Sequence, residues 1–364
     1  MGNSTTMHFN RKPILFKSLA LGGIIAAMLL MSACALTASA NSVSSDPESN
    51  TSGLAGAQPA GSGPADAGTQ AASLPPGEAA SSSGRQSSQG GPGISSLRCI
   101  HFNEKDFRNS IALAGDETGG ASGAGNAGYP AGSVAGGVVP HHLLAGKMIA
   151  QFFRTLSESS PDTIVIIGPN HDRIGMNKLH TSSLDWATAF GILETDRNIA
   201  ESLVNELGAS ENTKLMETEH SISSLAPYVK YYMPTTKIVP ILLHGNYTLA
   251  ESEKLGEFLA GIMKNNAGIV VIASVDFSHY LDADTAEKMD KITLDAIISR
   301  DAAAISRMGN DNIDSPPSIL SLLCIMDEIG AIGPEITAHD NSFGITGGGA
   351  ECTTSYFTMF FRRP

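Results

Sequence analysis

Four short apolar runs of this chain each end on side chains able to bind a metal or move a proton. Val138-Val139-Pro140 leads into His141-His142, and Ile164-Val165-Ile166-Ile167 into Gly168-Pro169-Asn170-His171. Leu242-Leu243 leads into His244, and the run from Val270 to Val275 into Asp276-Phe277-Ser278-His279. Imidazole is the commonest transition-metal ligand and carboxylates complete such sites, so the pattern points to a divalent transition-metal centre or to acid–base chemistry. Each residue taken alone has a plainer reading. At most one of His141 and His142 should point inward, the other serving as a first-turn helix residue, and His244 before Gly245-Asn246 reads as a turn residue. Asp276 could cap a helix, and Asp314-Ser315-Pro316-Pro317 is a fitting helix start, with a cap followed by proline where the missing N–H costs nothing. The shared placement at strand ends outweighs these separate explanations.

The elements that must position these groups follow from hydrophobic pattern. Short β-branched runs at Val138-Val139, Thr163–Ile167, Lys237–Leu243, Gly268–Val275 and Ser355–Phe361 alternate with helical patterns. The helical stretches are His142–Leu156, Arg197–Leu207, His220–Met233, Leu249–Lys264, Ala283–Met308 and Ser318–Ile329. Continuous apolar strands separated by helices predict an α/β fold: a mostly parallel central sheet with helices on both faces. In open sheets of this class ligands bind beyond the carboxyl ends of the strands, where the histidines fall.

Composition divides the chain. The net charge of −13 belongs to the part after residue 97, because residues 1–97 carry four basic and four acidic side chains. An acidic domain with no Lys/Arg cluster is a poor partner for nucleic acid. Arg11, Lys12 and Lys17 followed by an apolar run from Leu19 to Met31 read as a targeting segment, too short and Gly/Ala-rich for a spanning helix. Met31-Ser32-Ala33-Cys34 resembles the lipobox of bacterial lipoproteins, which makes residues 1–34 a signal peptide, Cys34 the lipidated residue and the mature protein extracytoplasmic and membrane-anchored. An ordinary cleavage site at Ala38-Ser39-Ala40 is the alternative. Residues 35–97 are Ser, Gly, Ala and Pro with few large apolar groups, a composition that predicts a disordered spacer before a domain spanning 98–364. A Gly-rich insertion is expected at about 115–136. Cys99, Cys324 and Cys352 then allow one disulfide or none, with Cys324 read as a small buried hydrophobe. The chain contains no His-Glu-x-x-His, Walker loop, Gly-x-Gly-x-x-Gly after a strand or Gly-x-Ser-x-Gly elbow.

From Val138 onward the blocks Val-Val-Pro-His-His (138–142), Ile-Ile-Gly-Pro-Asn-His (166–171), Glu-His-Ser-Ile (219–222), Val-Asp-Phe-Ser-His-Tyr (275–280), Asp-Ser-Pro-Pro-Ser-Ile (314–319) and Thr-Thr-Ser-Tyr-Phe (353–357) resemble the Memo family. Its bacterial members are called AmmeMemoRadiSam system protein B, and its fold is similar to that of class III extradiol dioxygenases, which hold non-haem iron with two histidines and a carboxylate. The resemblance implies that His141 and His171 are metal ligands. The family's third ligand is a cysteine before a helix, and the matching position here is Asp314, a departure that exchanges a thiolate suited to copper or zinc for a carboxylate suited to iron(II). Asp276 and His279 match the family's acidic and imidazole pair near the metal, with His279 the expected acid/base and Asp276 its orienting group. His220 matches the Glu-His block, where a catalytic, second-layer or substrate-facing role is implied.

The resulting expectation is a metal-dependent, oxygen-using oxidoreductase acting on a small-molecule substrate, with iron(II) as the ion and copper or zinc as alternatives. A tethered protein that captures a metal ion or organic ligand without turnover is the competing reading. An interaction module with a peptide groove has little support, since aromatic residues make up 6% of the chain.

Overall fold

The structure, a computed structural model, describes residues 96–115 and 132–364. Cys34, the expected signal peptide, nearly all of the expected spacer and residues 116–131 of the expected insertion lie outside the described residues. The described chain opens with β1 (Ser96–Arg98), α1 (Glu104–Leu113) and β2 (Val134–Val139), then α2 (Gly146–Ser157) and β3 (Thr163–Asn170). Four short strands, β4 (Leu179–Thr181), β5 (Asp185–Thr188), β6 (Gly191–Leu193) and β7 (Ser210–Glu211), enclose α3 (Arg197–Leu207). Next come α4 (Thr213–Thr218), α5 (His220–Ser223), α6 (Ala226–Tyr232), β8 (Lys237–His244), α7 (Leu249–Asn265) and β9 (Ile269–Ser274). The last part holds β10 (His279–Leu281), α8 (Ala283–Ile298), α9 (Ala302–Ile305), α10 (Pro316–Glu328), β11 (Ile332–Asn341), α11 (Ser342–Thr346) and β12 (Thr353–Arg362).

The main sheet runs β10-β12-β2-β9-β3-β8-β4-β7, with β11 also pairing with β12. Its centre, β2-β9-β3-β8, is parallel throughout, as the continuous apolar runs require. The flanks are not: β12 is antiparallel to β2, β10 and β11, and β4 is antiparallel to β8. The expectation of a mostly parallel sheet therefore describes the centre only. A separate three-stranded sheet, β1-β5-β6, lies beside it.

Side chains alternate across the parallel strands with the two-residue period of a pleat. Val165, Ile167, Val239, Ile241, Val271 and Ala273 pack with residues of α3, α7 and α10. Ile164, Ile166, Ile238, Leu242, Val270 and Ile272 pack on the opposite face with α1, α2, α4 and α6. Helices thus cover both faces, as predicted.

Local chemistry explains where element boundaries differ from the pattern. The expected helix His220–Met233 is split into α5 and α6, with Pro227 in the first turn of α6, where its missing N–H is harmless. The expected helix Ala283–Met308 ends at Ile298, followed by Arg300 at φ 56°; Asp301 then caps α9 through the Ala304 N–H. Asp276 caps no helix; Asp282 does so for α8. The most informative difference is in β2. Gly136, read as the end of a flexible insertion, and its neighbour Gly137 belong to a fully buried strand. A Cβ on Gly137 would stand 2.6 Å from the Met359 carbonyl oxygen and 2.9 Å from the Phe152 ring, so glycine there permits close packing between β12 and α2.

Candidate metal centre

Parallel β2, β9 and β3 are adjacent and end at one rim, so the residues just beyond them meet in space. His141 follows β2, Asp276 follows β9 and His171 follows β3. Asp314 joins them because the loop before α10 is tied to the segment after β9. The Asp314 N–H donates to the Asp276 carbonyl at 3.2 Å, and Phe277 and Ile313 form a β-bridge. Asp314 precedes Ser315 and the prolines that open α10, consistent with the expected helix start.

Two imidazoles converge on one carboxylate oxygen. His141 Nε2 is 3.2 Å from Asp314 Oδ2, and His171 Nε2 is 3.5 Å from the same atom. The far side of each ring is held in a way that turns Nε2 inward. The Ser274 hydroxyl gives its hydrogen to the Ser221 carbonyl at 2.6 Å, so its oxygen accepts from His141 Nδ1 at 3.1 Å. Glu219 accepts from His171 Nδ1 and from the His171 backbone N–H, both at 2.8 Å. Metal-binding histidines are commonly held through their second nitrogen in this manner. His141 Nε2 and Asp314 Oδ1 are buried without a hydrogen-bond partner, an arrangement that is costly unless a cation meets them. These donors therefore fit a divalent ion.

The electrostatics agree. Burial alone would raise the Asp314 carboxyl, but the adjacent His141 and His171 imidazoles hold it well below the usual carboxylate range. Burial likewise opposes protonation of His171, and the Asp314 and Glu219 carboxylates overcome it, lifting the imidazole to about 10. His141 is raised in the same sense, burial being outweighed by Asp276 and Asp314. Glu219 is depressed to about 2, burial being outweighed chiefly by His171. Protons and a metal ion would therefore compete for these two imidazoles.

Not every residue singled out in the sequence takes its expected place. Asp276 does not orient His279, and no hydrogen bond joins them. The Asp276 carboxylate instead accepts the His141 N–H at 3.1 Å and the His142 N–H at 3.5 Å, and Oδ2 lies 3.5 Å from His141 Nε2. Its position fixes the turn that aims His141. His279 lies at the start of β10, its backbone N–H on the Asn310 carbonyl and its Nδ1 buried without a partner. His220 stands among the donors, its ring stacked on His171 at 4.4 Å and edge-on to His141 at 5.0 Å. One donor atom from each of His141, His171 and His220 lies within 4.8 Å of the others, and the same holds for His141, Asp276 and Asp314. Burial and the positive charge of His141 and His171 lower His220 to about 4.

Of the adjacent pair, His141 points inward at 1% exposure while His142 faces outward, its Nδ1 paired with the Tyr356 hydroxyl at 2.6 Å. His244 serves the turn, its Nδ1 accepting from the Asn246 N–H at 3.2 Å. Cys99, Cys324 and Cys352 are all free, and Cys324 is half-buried rather than a core residue. Sequence reasoning missed Ser274, Tyr356 and the clamping role of Glu219. Ser274 carried a signal: a hydroxyl residue closing an otherwise apolar strand, paired in register with Val139.

Comparison with known proteins places the chain among relatives. A model of the family described as Memo-like protein matches residues 128–360. The MEMO1 family protein PAE0818 of Pyrobaculum aerophilum is 31% identical over 64% of this chain and 85% of its own length. A MEMO1 family protein of Pyrobaculum arsenaticum is 30% identical over 63% of this chain and 83% of its own. Among solved structures, an uncharacterized protein, JW3007, from Escherichia coli K12 aligns at a TM-score of 0.43 and 14% identity, over 62% of this chain and 99% of that one.

Proposed function

The chain belongs to the Memo-like family, and from that premise we propose that it is a metal-dependent oxidoreductase with iron(II) held by His141, His171 and Asp314. The observation that carries this reading is the convergence of both Nε2 atoms on Asp314 Oδ2 with each ring braced from behind. Two imidazoles and one carboxylate on a single face suit iron(II) and leave positions open for substrate. A divalent ion there would polarise a bound oxygen ligand of the substrate and, as iron(II), supply redox capacity. The protein's own groups bind, orient and exclude water. Ser274 and Glu219 fix the tautomers, and Asp276 fixes the turn that carries His141. His142, held by Tyr356, and His279 are the imidazoles beside the site available to accept a substrate proton.

The test is metal content of protein purified without oxygen, compared with His141→Ala, His171→Ala and Asp314→Asn. Loss of one equivalent of iron in each variant supports the assignment; unchanged stoichiometry in all three refutes it. Oxygen uptake with catechol-like substrates then tests turnover, and its absence with a fully loaded centre favours capture over catalysis.

The same proposal covers location. The basic start, the apolar run and the lipobox-like Met31–Cys34 support a bacterial lipoprotein displayed outside the cytoplasm. Among the described residues no helix is long and apolar enough to cross a membrane, so attachment would rest on the N-terminal segment. Cys34→Ala should move the protein from the membrane to the soluble fraction; retention in the membrane would reject lipidation at that residue.

A further inference from the structure

We propose that His220 is a fourth metal ligand: with His141 and His171 it forms an all-imidazole donor set that adjoins the His141, Asp276 and Asp314 set and shares His141 with it. The inference rests on reading this pocket as a metal centre.

Three observations point to it. First, the rings are arranged as a set: His171 and His220 are nearly parallel, with 18° between planes, and both stand edge-on to His141. Donor atoms around one ion with bonds of about 2.0–2.1 Å lie roughly 3–4 Å apart. A nitrogen from each ring already lies within 4.8 Å of the other two, so a small swing of one side chain closes the set.

Second, His220 is the ring free to make that swing. His141 is held by Ser274 and His171 by Glu219, but the His220 ring makes no hydrogen bond to the described residues. Its Nδ1 lies 3.3 Å from Glu219 Oε1 and its side chain is 42% exposed, so reorientation disturbs no packed core. Third, the chain fixes its approach. Glu219, which clamps His171, is the residue immediately before His220, and its carboxylate also accepts the Ser221 N–H at 2.9 Å. On the outer side His101, anchored to the Thr218 carbonyl at 2.9 Å, packs edge-on against His220 at 5.8 Å and limits how far it can turn away.

The chemistry differs with the ion. Zinc takes four ligands in a tetrahedron, so three imidazoles and Asp314 close it completely. Iron(II) in its usual six-coordinate form is not closed by four protein donors and keeps open positions. The zinc form is then a sealed, non-catalytic state, whereas the iron form admits substrate.

The experiment uses the full chain loaded with zinc or cobalt(II), comparing wild type with His220→Ala, His220→Gln and His141→Ala. Zinc affinity is read by chelator competition and coordination by the visible absorption of cobalt(II), which is intense for four-coordinate ions and weak for six-coordinate ones. Both His220 variants should bind one zinc with at least tenfold lower affinity and lose cobalt band intensity, while iron(II) stoichiometry is kept. Zinc affinity and cobalt spectra equal to wild type in both His220 variants overturn the proposal and leave the His141–His171–Asp314 assignment standing. A wild-type chain that takes up no metal, or a His141→Ala variant that binds as well as wild type, overturns that assignment and this inference together.

Discussion

Glu219→Gln should loosen His171 in two separable ways. The carboxylate accepts three N–H groups: His171 Nδ1 and Ser221 N on Oε1, and His171 N on Oε2. Glutamine offers one carbonyl oxygen; its amide nitrogen must face a donor and leaves a buried N–H unsatisfied. That costs about 1–3 kcal/mol, and exchanging a charge-assisted bond to the imidazole for a neutral one costs about 1 kcal/mol more. The second loss corresponds to a fall of roughly one unit in the His171 titration, which stands at about 10 in the metal-free protein. Because His171 is raised above its unfolded value, its contribution to stability is fully present below about pH 6.5 and is lost as pH rises through its folded pKa. In the variant this loss should be complete about one unit earlier. The assay is NMR titration of the histidine side chains without metal, paired with urea unfolding between pH 6 and 10. A His171 titration identical in both proteins, or equal stability below pH 6.5, would refute the clamp.

Three further outcomes are expected. Ser274→Ala removes the acceptor of His141 Nδ1 and should weaken metal binding about 10–100-fold, measured by competition, with the sheet still folded. Gly137→Ala places a methyl 2.6 Å from the Met359 carbonyl and should destabilise by about 1–3 kcal/mol or more, read as a lower urea midpoint; an unchanged midpoint would contradict the packing between β2 and β12. Thiol labelling of the native protein should modify exposed Cys352 first. Burial pushes Cys99 up to about 12 and Cys324 up to about 11, so both should lag, and mass spectrometry should find free thiols at residues 99, 324 and 352 after unfolding.

The parallel centre of the sheet was legible because both of its faces are covered, which makes β3, β8 and β9 read as unbroken apolar runs. For the same reason the rim position of His141, His171 and Asp276 could be read from the residues at the carboxyl end of each strand. The short outer strands could not, since β4, β7 and β10 have three residues or fewer and carry no measurable period, and the direction of β12 against β2 is not written in its apolar run. The end of the expected insertion, Val134 to Gly136, failed in an instructive way: glycine signals either a loose chain or a crowded backbone, and composition alone does not separate them. Asp276 failed differently. The family resemblance implied a pair with His279, but the strand directs the carboxylate across to the β2 turn, a relation set by strand order rather than by spacing.

The β2–β12 pairing joins segments more than two hundred residues apart, Val138 lying opposite Met359. Until β12 arrives, the strand that delivers His141 has a bare flank, and loop closure over such a distance is entropically slow. The centre should therefore mature late in folding. An ion that binds the finished geometry would act as a latch on an assembled sheet, and withdrawing it should raise the domain's sensitivity to proteases before secondary structure is lost.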